Sequence, residues 1–357
     1  MTETNTAESA PMSLIWDIGT AYELFISLNV LHEPEHHGLR ASWAAGVRSR
    51  IPPTERKFLE EVMPFISHPA SWVYRLPEPK DAMSAIWALR QIPAEKRMFE
   101  LLDVEHWDHP QARDIIKKIA DQRSWSNRDL ATMKEVLHEK CERGADVGKY
   151  LDWWARPEEF GEAMVAGLQA YYLVFFSEEE KRIAPVLQAG LELAKQKAER
   201  ISIPDLIVDL SQGLHFTGMT VKELIVVPIF CTTPLVIMDE IDENLGIFLF
   251  GARPATMSAI PGELVPDGLL RALKALADPT RLKIIHFLTH EELTPSELSR
   301  RLNLRAPTLT HHLSELRLAG LVNLTMSGQE KRYSTRLEAM SGTFDNLQEF
   351  LKSSDEK

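Results

Sequence analysis

Short polar side chains gather on one side of a predicted helix, Ala306–Leu318, near the carboxyl end of the chain. They are Thr308, Thr310, His311, Ser314 and Arg317. At about 100° per residue they lie opposite or beside a stripe formed by Leu309, Leu313 and Leu316. Hydroxyl, imidazole and guanidinium groups can reach base edges or phosphate oxygens. This face is therefore predicted to contact nucleic acid.

The role of His311 has two interpretations. It could be an ordinary solvated histidine, but the surrounding motif favours a DNA contact, because context strengthens the signal of a single residue. His312 falls near the leucine stripe and is interpreted as a packing residue. Arg305, Lys331 and Arg332 are expected to neutralise phosphates together with Arg317. Arg305 stands where a capping hydroxyl is usual and cannot cap the helix, so its phosphate role is an inference.

The segment before this helix carries the signals of another helix start. Thr294-Pro295-Ser296-Glu297 has the T-x-x-E form of a capping box, in which the threonine hydroxyl and the glutamate carboxylate each bind the other residue's amide. Pro295 suits the first helical position, where its missing N–H costs nothing. A short helix is predicted from Pro295 to about Leu302, followed by a three-residue turn.

Two short helices joined in this way form a helix-turn-helix, whose second helix enters the major groove of DNA. Gly320 suits the left-handed position after the second helix, with Leu321 folding back on Leu316. Residues 322–326 and 331–337 then alternate around a turn and predict a β-hairpin, or wing. Upstream, a helix capped by Asp278 and another over 269–276 are predicted to pack on the motif.

Four segments in order resemble the winged-helix domain of the ArsR-type transcriptional regulators. They are ALADPTRLKIIHFL (275–288), ELTPSELSRRLNL (292–304), PTLTHHLSELRLAGLV (307–322) and the wing. The resemblance covers about a fifth of the chain. It implies a homodimer that binds a two-fold related promoter site, with the 269–276 helix and the helix after the wing as the dimer surface.

The metal-sensing function of that family is not carried over to this chain. Family members often place thiolate ligands on the helix that here reads LTPSEL (293–298), which has no cysteine. Others place histidines and carboxylates on the last helix, but 341–357 has no histidine. No metal site and no cofactor are therefore predicted.

The charge of the chain is unevenly distributed. The 357 residues carry a formal net charge of -12, which taken alone argues against nucleic acid. Residues 268–340, however, hold 11 Lys and Arg against 7 Asp and Glu, a balance of +4, which leaves -16 for the remainder. Because local charge governs phosphate contact, a mildly basic module on an acidic body remains compatible with DNA binding.

Cysteine usage and hydropathy point to an intracellular protein. Cys141 and Cys231 are far apart in sequence and support neither a disulfide framework nor a cysteine zinc site. No secretory leader is recognised at the amino terminus. The most apolar run, 224–238, is interrupted by Pro228 and Pro234 and is shorter than the ~20 residues that a bilayer requires. The expectation is a cytoplasmic protein without membrane contact.

The chain is predicted to be mostly α-helical with small β elements, an α+β protein. A disordered tail over 1–11 precedes a mainly helical domain over 12–251. Residues 252–266 are predicted to be a linker, 267–340 the winged helix-turn-helix, and 341–357 a last helix that contributes to a dimer. Within the helical domain, helices are predicted over 22–31, 54–63, 81–90, 95–102, 111–121, 127–143, 157–176 and 178–198. Strands are predicted over 203–210, 224–230, 235–239 and 245–250.

Other clusters in the helical domain carry weaker signals. The run HEPEHH (32–37) holds possible metal ligands, and HWDH (106–109) resembles it, but neither has a spacing that fixes a geometry, so solvated loops are favoured. The aromatic residues around Trp153 and Trp154 could line an effector pocket, although a plain core is favoured. No nucleophile elbow, phosphate loop, dinucleotide fingerprint or H-E-x-x-H motif is present, and the chain is not predicted to be an enzyme.

The sequence thus predicts a homodimeric, sequence-specific DNA-binding regulator of transcription, more specifically a repressor. The helical domain is expected to sense a small molecule or a partner. Two alternatives stay open: a winged helix used as a protein-interaction module on a scaffold, and an uncharacterised enzyme domain with an appended regulator domain.

Overall fold

A computed structural model describes residues 12–66, 68–107, 109–138, 144–217, 221–328 and 330–352. The tail predicted for 1–11 lies outside the described residues, as does Cys141. Within the described part of the chain, no helix is both long enough and apolar enough to cross a bilayer.

The body, residues 12–251, consists mainly of helices that pack around one large apolar core. In chain order they are α1 (Thr20–His32), α2 (Ala41–Arg48), α3 (Pro53–Val62), α4 (Ala70–Tyr74), α5 (Ala82–Gln91), α6 (Arg97–Leu101), α7 (Pro110–Gln122), α8 (Asn127–Val136), α9 (Val147–Trp154), α10 (Pro157–Tyr171), α11 (Ser177–Ala198) and α12 (Ile203–Leu210). A π-helical stretch, Tyr172–Phe176, joins α10 to α11 without a break. Short 3-10 turns, Pro34–His37, Ala94–Lys96 and Val104–His106, complete the helical part.

The strands of the body are β1 (Ser13–Trp16), β2 (Leu214–Thr217), β3 (Glu223–Ile229), β4 (Ile237–Glu240) and β5 (Leu245–Gly251). Four of them form a sheet in the order β1-β3-β5-β4, in which β1, β3 and β5 are parallel and β4 is antiparallel. Ile225 and Val227 of β3 enter the large core, whereas Leu224 and Val226 enter a second core under α11 and α12. Both faces of the sheet are buried, which explains why its strands are continuous apolar runs.

Residues 203–210 form a helix, and the strand predicted there is wrong. The run IPDLIVDL is short, apolar and rich in β-branched residues, so its composition suits either state. The Ser202 hydroxyl accepts a hydrogen bond from the Asp205 amide at 3.3 Å and caps the helix. Leu206 and Leu210, four residues apart, then lie buried on one face. The strands β1 and β2 were not predicted.

The winged helix comprises α13 (Asp267–Leu276), α14 (Pro279–His290), α15 (Pro295–Leu302), α16 (Ala306–Leu318), β6 (Val322–Ser327), β7 (Glu330–Thr335) and α17 (Leu337–Lys352). β6 and β7 form the predicted hairpin with Leu324 opposite Tyr333. Asp278 caps α14 through the Arg281 amide at 2.8 Å, as expected. The mixed α and β class predicted from the sequence is confirmed.

A strand of the body extends the sheet of the wing. β2 lies beside β6 in parallel, so the second sheet has the order β2-β6-β7. Leu214 is opposite Leu324, whose amide donates to the Gly213 carbonyl oxygen at 2.8 Å. The outer edge of the hairpin, which would otherwise present unpaired backbone groups, is covered by the body.

Candidate nucleic-acid interface

The first helix of the motif, α15, begins at the predicted capping box. The Thr294 hydroxyl accepts from the Glu297 amide at 3.3 Å, and Glu297 Oε2 accepts from the Thr294 amide at 2.8 Å. The bond from the Thr294 amide, and then one that the Thr294 hydroxyl donates to Glu297 Oε2 at 2.9 Å, hold the pKa of the Glu297 carboxyl below its usual range, because both favour the charged form. The helix ends at Asn303, which adopts the left-handed conformation with φ 52°. Both ends of α15 are thus defined by local bonds.

The second helix, α16, packs its apolar stripe into the core of the winged helix. The stripe consists of the buried residues Leu309, Leu313 and Leu316. At the carboxyl end, Gly320 has φ 68° and the Leu321 amide donates to the Leu316 carbonyl oxygen at 3.0 Å. The predicted Schellman ending is therefore confirmed. Because the stripe faces inward, the orientation of α16 about its axis is determined.

The opposite face of α16 is open to solvent. Thr308, Thr310, His311 and Ser314 are all exposed. His312 is half-buried, in agreement with its interpretation as a packing residue, and its Nδ1 has no hydrogen-bond partner among the described residues. The structure therefore brings four of the sequence-predicted polar side chains together on one accessible surface, hereafter the reading face. Their hydrogen-bonding groups are accessible to a partner as large as a DNA duplex.

Arg305 lies at the amino-terminal edge of the reading face. It occupies the N-cap position of α16, its side chain is exposed, and it makes no capping hydrogen bond. The amino terminus of a helix also attracts anions through its free amides and its dipole. A phosphate bound at that terminus could also contact the Arg305 guanidinium.

The structure directs Arg317 toward the body instead of the reading face. Its guanidinium donates to the carbonyl oxygens of Gln212 at 2.8 Å and Ser211 at 3.0 Å, in the turn between α12 and β2. Burial, and then the neighbouring Arg336, lower the pKa of Arg317 to about 10, so the group remains cationic at neutral pH. The phosphate contact expected for Arg317 is therefore corrected to a contact between α16 and the body.

The wing presents two cations to solvent. Lys331 is exposed, and Arg332 is partly exposed with its Nη2 2.8 Å from Glu330 Oε1. Exposed ion pairs of this kind contribute little stability and exchange readily for another anion. Gly328, with φ 57°, forms the turn between the strands, and its neighbour Gln329 lies outside the described residues. Both predicted wing cations are thus accessible to phosphate.

The sequence interpretation left out the cations of α15. Arg300 and Arg301 are both exposed, and Arg301 is paired with Glu291. In a helix-turn-helix the first helix crosses the DNA backbone. The adjacent pair Arg300-Arg301 was a visible sequence signal for such a position.

Two histidines near the start of the body, His32 and His37, are partly or largely buried. Among the described residues, no group of three or more His, Cys, Asp or Glu side chains could hold a metal ion. His32 Nδ1 instead bonds the Leu28 carbonyl oxygen at 2.8 Å, and burial lowers the pKa of His37 to about 3. Most of the aromatic cluster, including Tyr150, Trp154 and Tyr171, is buried in the large core.

Comparisons with known proteins agree with the geometry of the carboxyl-terminal part. The family model described as "Helix-turn-helix domain" matches residues 276–325. A probable mercury resistance operon repressor of Streptomyces lividans is 39% identical over 69 residues, which are 19% of this chain and 55% of that protein. This chain therefore spans only about half the length of that relative.

Two further proteins match a similar share of the chain. The arsenical resistance operon repressor of Staphylococcus xylosus is 32% identical over 84 residues, which are 24% of this chain and 80% of that protein. The solved structure of an ArsR-like transcriptional regulator from Rhodococcus sp. RHA1 is 29% identical and covers 23% of this chain and 77% of its own, with a TM-score of 0.22. Through its carboxyl-terminal domain, this chain belongs to the ArsR family of helix-turn-helix transcriptional regulators.

Proposed function

We propose that the chain is a sequence-specific DNA-binding regulator that acts as a homodimer and represses transcription. The observation that carries this proposal is the reading face, where Thr308, Thr310, His311 and Ser314 stand exposed opposite a buried leucine stripe. Repression is proposed because the mercury and arsenical relatives are named as operon repressors.

In the proposed complex the reading face lies in the major groove. Hydroxyl and imidazole groups there hydrogen-bond to base edges, which specify sequence. Arg305, Lys331 and Arg332 contact phosphates, which position the protein without selecting a sequence. Arg317 is not part of this set, because its guanidinium is already bound to the body.

The proposed dimer uses the outer faces of α13 and α17. On α17, Leu337, Phe344 and Leu351 are exposed and repeat every seven residues, so they form one apolar stripe. Leu270 of α13 is exposed as well. A second copy of the chain offers the same apolar surface, and a two-fold pair of identical faces is the usual form of a dimer. The two reading faces would then enter successive major grooves roughly 34–36 Å apart.

The body is proposed to control this activity through a small molecule. It is joined to the winged helix by β2, by Arg317 and by Arg271 of α13, whose guanidinium donates to the carbonyl oxygens of His37 at 3.2 Å and Gly38 at 3.3 Å. A ligand that changed this contact would change the position of the reading face relative to the body.

The proposal is tested by fluorescence anisotropy of the full chain with labelled duplexes from the region upstream of its own gene. Saturable binding that survives an excess of scrambled competitor supports the proposal. The double variant Thr310→Ala, His311→Ala should lose the preference for the specific duplex while keeping its weak binding to scrambled DNA. If no duplex binds even in dilute buffer, the proposed function is wrong.

A further inference from the structure

A cavity of about 220 Å³ lies where the body meets the winged helix. Three arginines line it, Arg253 from the segment after β5, Arg271 from α13 and Arg336 from the end of the wing. The amide side chains of Gln212 and Asn346 also line it. No aspartate or glutamate is among the described residues that form its wall. The cavity is therefore cationic.

Two of these arginines share one carboxylate. Asp267 Oδ2 lies 3.0 Å from a guanidinium nitrogen of Arg253 and 3.2 Å from one of Arg271. The arginine side chains are only 4% and 9% exposed, so little water screens them. Burying a charge without a partner costs free energy, and these two buried cations have only one directly paired carboxylate between them. A further anion beside them would be stabilised.

The hydrogen bonds of Arg253 are also incomplete. Arg253 Nη1 is buried and has no hydrogen-bond partner among the described residues. Buried donors are usually satisfied, so an orphan of this kind points to a missing acceptor. Arg336 donates to the Gly320 carbonyl oxygen at 2.9 Å, and its Nε lies 3.3 Å from Glu338 Oε1, whose side chain is largely in solvent. Because an exposed partner neutralises a charge only weakly, the third cation also favours an anion in the cavity.

We propose that this cavity binds a small oxyanion, either a carboxylate or an inorganic phosphate, and that its occupancy regulates DNA binding. The second half of the proposal rests on the function proposed above. Guanidinium groups bind carboxylate and phosphate oxygens through paired hydrogen bonds, and the wall offers three of them. The volume is below the roughly 300 Å³ at which pockets for larger organic ligands begin, so the ligand is a small anion.

The position of the cavity explains how an anion could act on the reading face. Its wall includes Arg271 of α13, Leu318 and Gly320 at the end of α16, and Gly342 of α17. A ligand there touches the body, the recognition helix and both helices of the proposed dimer surface. A larger cavity of about 520 Å³ is lined by body residues alone, such as Trp107 and Tyr150. Of these two cavities, only the smaller lies between the body and the winged helix.

A single glycine allows the cavity to be filled without breaking the fold. A Cβ added at Gly342 meets nothing within 4 Å, and leucine favours a helix more than glycine does. Gly342 is two residues from Phe344, about 200° around α17, so a leucine there leaves the exposed stripe unchanged. Gly46 of α2 is the matched control, because a Cβ there also meets nothing within 4 Å. Gly46 is not among the residues that line the cavity.

Titration calorimetry on the full chain tests the site directly. The probes are sodium phosphate, acetate and succinate, each added at constant ionic strength against sodium chloride. We expect saturable binding of at least one probe, roughly tenfold weaker or absent in Gly342→Leu and unchanged in Gly46→Leu. Binding of phosphate alone, or of the carboxylates alone, identifies the natural class of anion.

A charge variant separates anion recognition from simple filling of space. Arg336→Gln removes one cation and should weaken probe binding roughly tenfold, whereas Arg336→Lys should retain most of it. Circular dichroism confirms that each variant is folded. The absence of saturable binding by any probe, or binding that Gly342→Leu does not alter, overturns the site.

The proposed regulation of DNA binding by the bound anion needs a separate measurement. The affinity for a specific duplex is compared with and without the bound probe at constant ionic strength, in the unaltered chain and in Gly342→Leu. A change in affinity that only the unaltered chain shows supports regulation, because linkage between two sites is reciprocal. An unchanged affinity overturns regulation but leaves the anion site. A chain that binds anion but no DNA overturns the proposed function, and with it the regulation, while the anion site stands.

Discussion

His311 is the residue of the reading face whose chemistry is most specific. Its ring is exposed on α16, and it can donate from one nitrogen and accept at the other when neutral. The hydroxyls of Thr308, Thr310 and Ser314 are less selective, since each both donates and accepts. His311 should therefore contribute more to sequence preference than to overall affinity.

His311→Ala is expected to change the preferred duplex sequence at one or two positions, because one base-edge contact is lost. The measurement is selection and sequencing of bound duplexes from a randomised pool. His36→Ala, which removes an exposed histidine of the body, is the control and should leave the profile unchanged. An identical profile for His311→Ala would remove this residue from the reading face.

A comparison of variants at two arginines of the winged helix distinguishes a contact with phosphate from a contact within the protein. Arg332→Ala should weaken binding to all sequences and reduce the slope of log K against log salt by about 0.9, the effect of one lost phosphate contact. Arg317→Ala removes an equal charge but should leave the slope unchanged, because the Arg317 guanidinium is bound to Ser211 and Gln212. Anisotropy titrations over a range of salt concentrations measure both slopes. Equal slopes for Arg332→Ala and the unaltered chain would contradict a wing–phosphate contact.

Among the elements, α15 depends on its capping box as well as on its packing. Leu298 is its one fully buried residue among those that the structure describes, so few apolar contacts hold the helix in place. The reciprocal bonds between Thr294 and Glu297 satisfy amides that would otherwise lack partners. Because α15 supports the turn into α16, its loss would displace the reading face.

Thr294→Ala is expected to lower the free energy of unfolding of the winged helix by about 1 kcal/mol, whereas Thr294→Ser should retain most of it. The pKa of Glu297 is lowered in the folded state, so its contribution is present above the ordinary pKa of a glutamate and is lost as the pH falls below it. Glu297→Gln can keep the capping box without this titration. Denaturant unfolding is measured at pH 7 and below pH 4. The free energy of unfolding should fall less between the two conditions in Glu297→Gln than in the unaltered chain. An equal loss in both proteins would mean that Glu297 does not contribute to the acid sensitivity.

At the scale of the whole molecule, the body and the winged helix share a sheet, and α17 leaves one face uncovered. β2 completes the wing sheet, and Arg271 connects α13 to the loop after α1. The outer stripe of α17, in contrast, has three large apolar side chains in solvent. Exposed apolar surface of this regularity is typical of an interface with another copy.

Phe344→Glu is expected to convert the proposed dimer into a monomer and to reduce affinity for a two-fold related site, because a buried carboxylate in an apolar interface has no partner. Sedimentation velocity or light scattering measures the mass. Leu193→Glu is the matched control, since Leu193 of α11 is 53% exposed and Phe344 is 52% exposed. A monomeric unaltered chain, or a Phe344→Glu variant that remains dimeric, would contradict this surface.

The sequence by itself determined the features of the winged helix that depend on near neighbours. The capping box, the left-handed glycine after α16 and the alternating wing strands each involve residues within six positions of one another. Their energies are local, so the pattern of residue types is sufficient to predict them. The same reasoning could have found α12, because Ser202 stands three residues before Asp205 at the spacing of a helix cap.

Only the tertiary structure decided which distant residues meet. Arg317 looks like a member of the polar face in sequence, and its partners Ser211 and Gln212 are more than a hundred positions away. The addition of β2 to the wing and the gathering of Arg253, Arg271 and Arg336 around one cavity likewise join segments that no local pattern connects. Such contacts arise from the packing of the body against the winged helix, and burial there, more than residue type, sets what each arginine can bind.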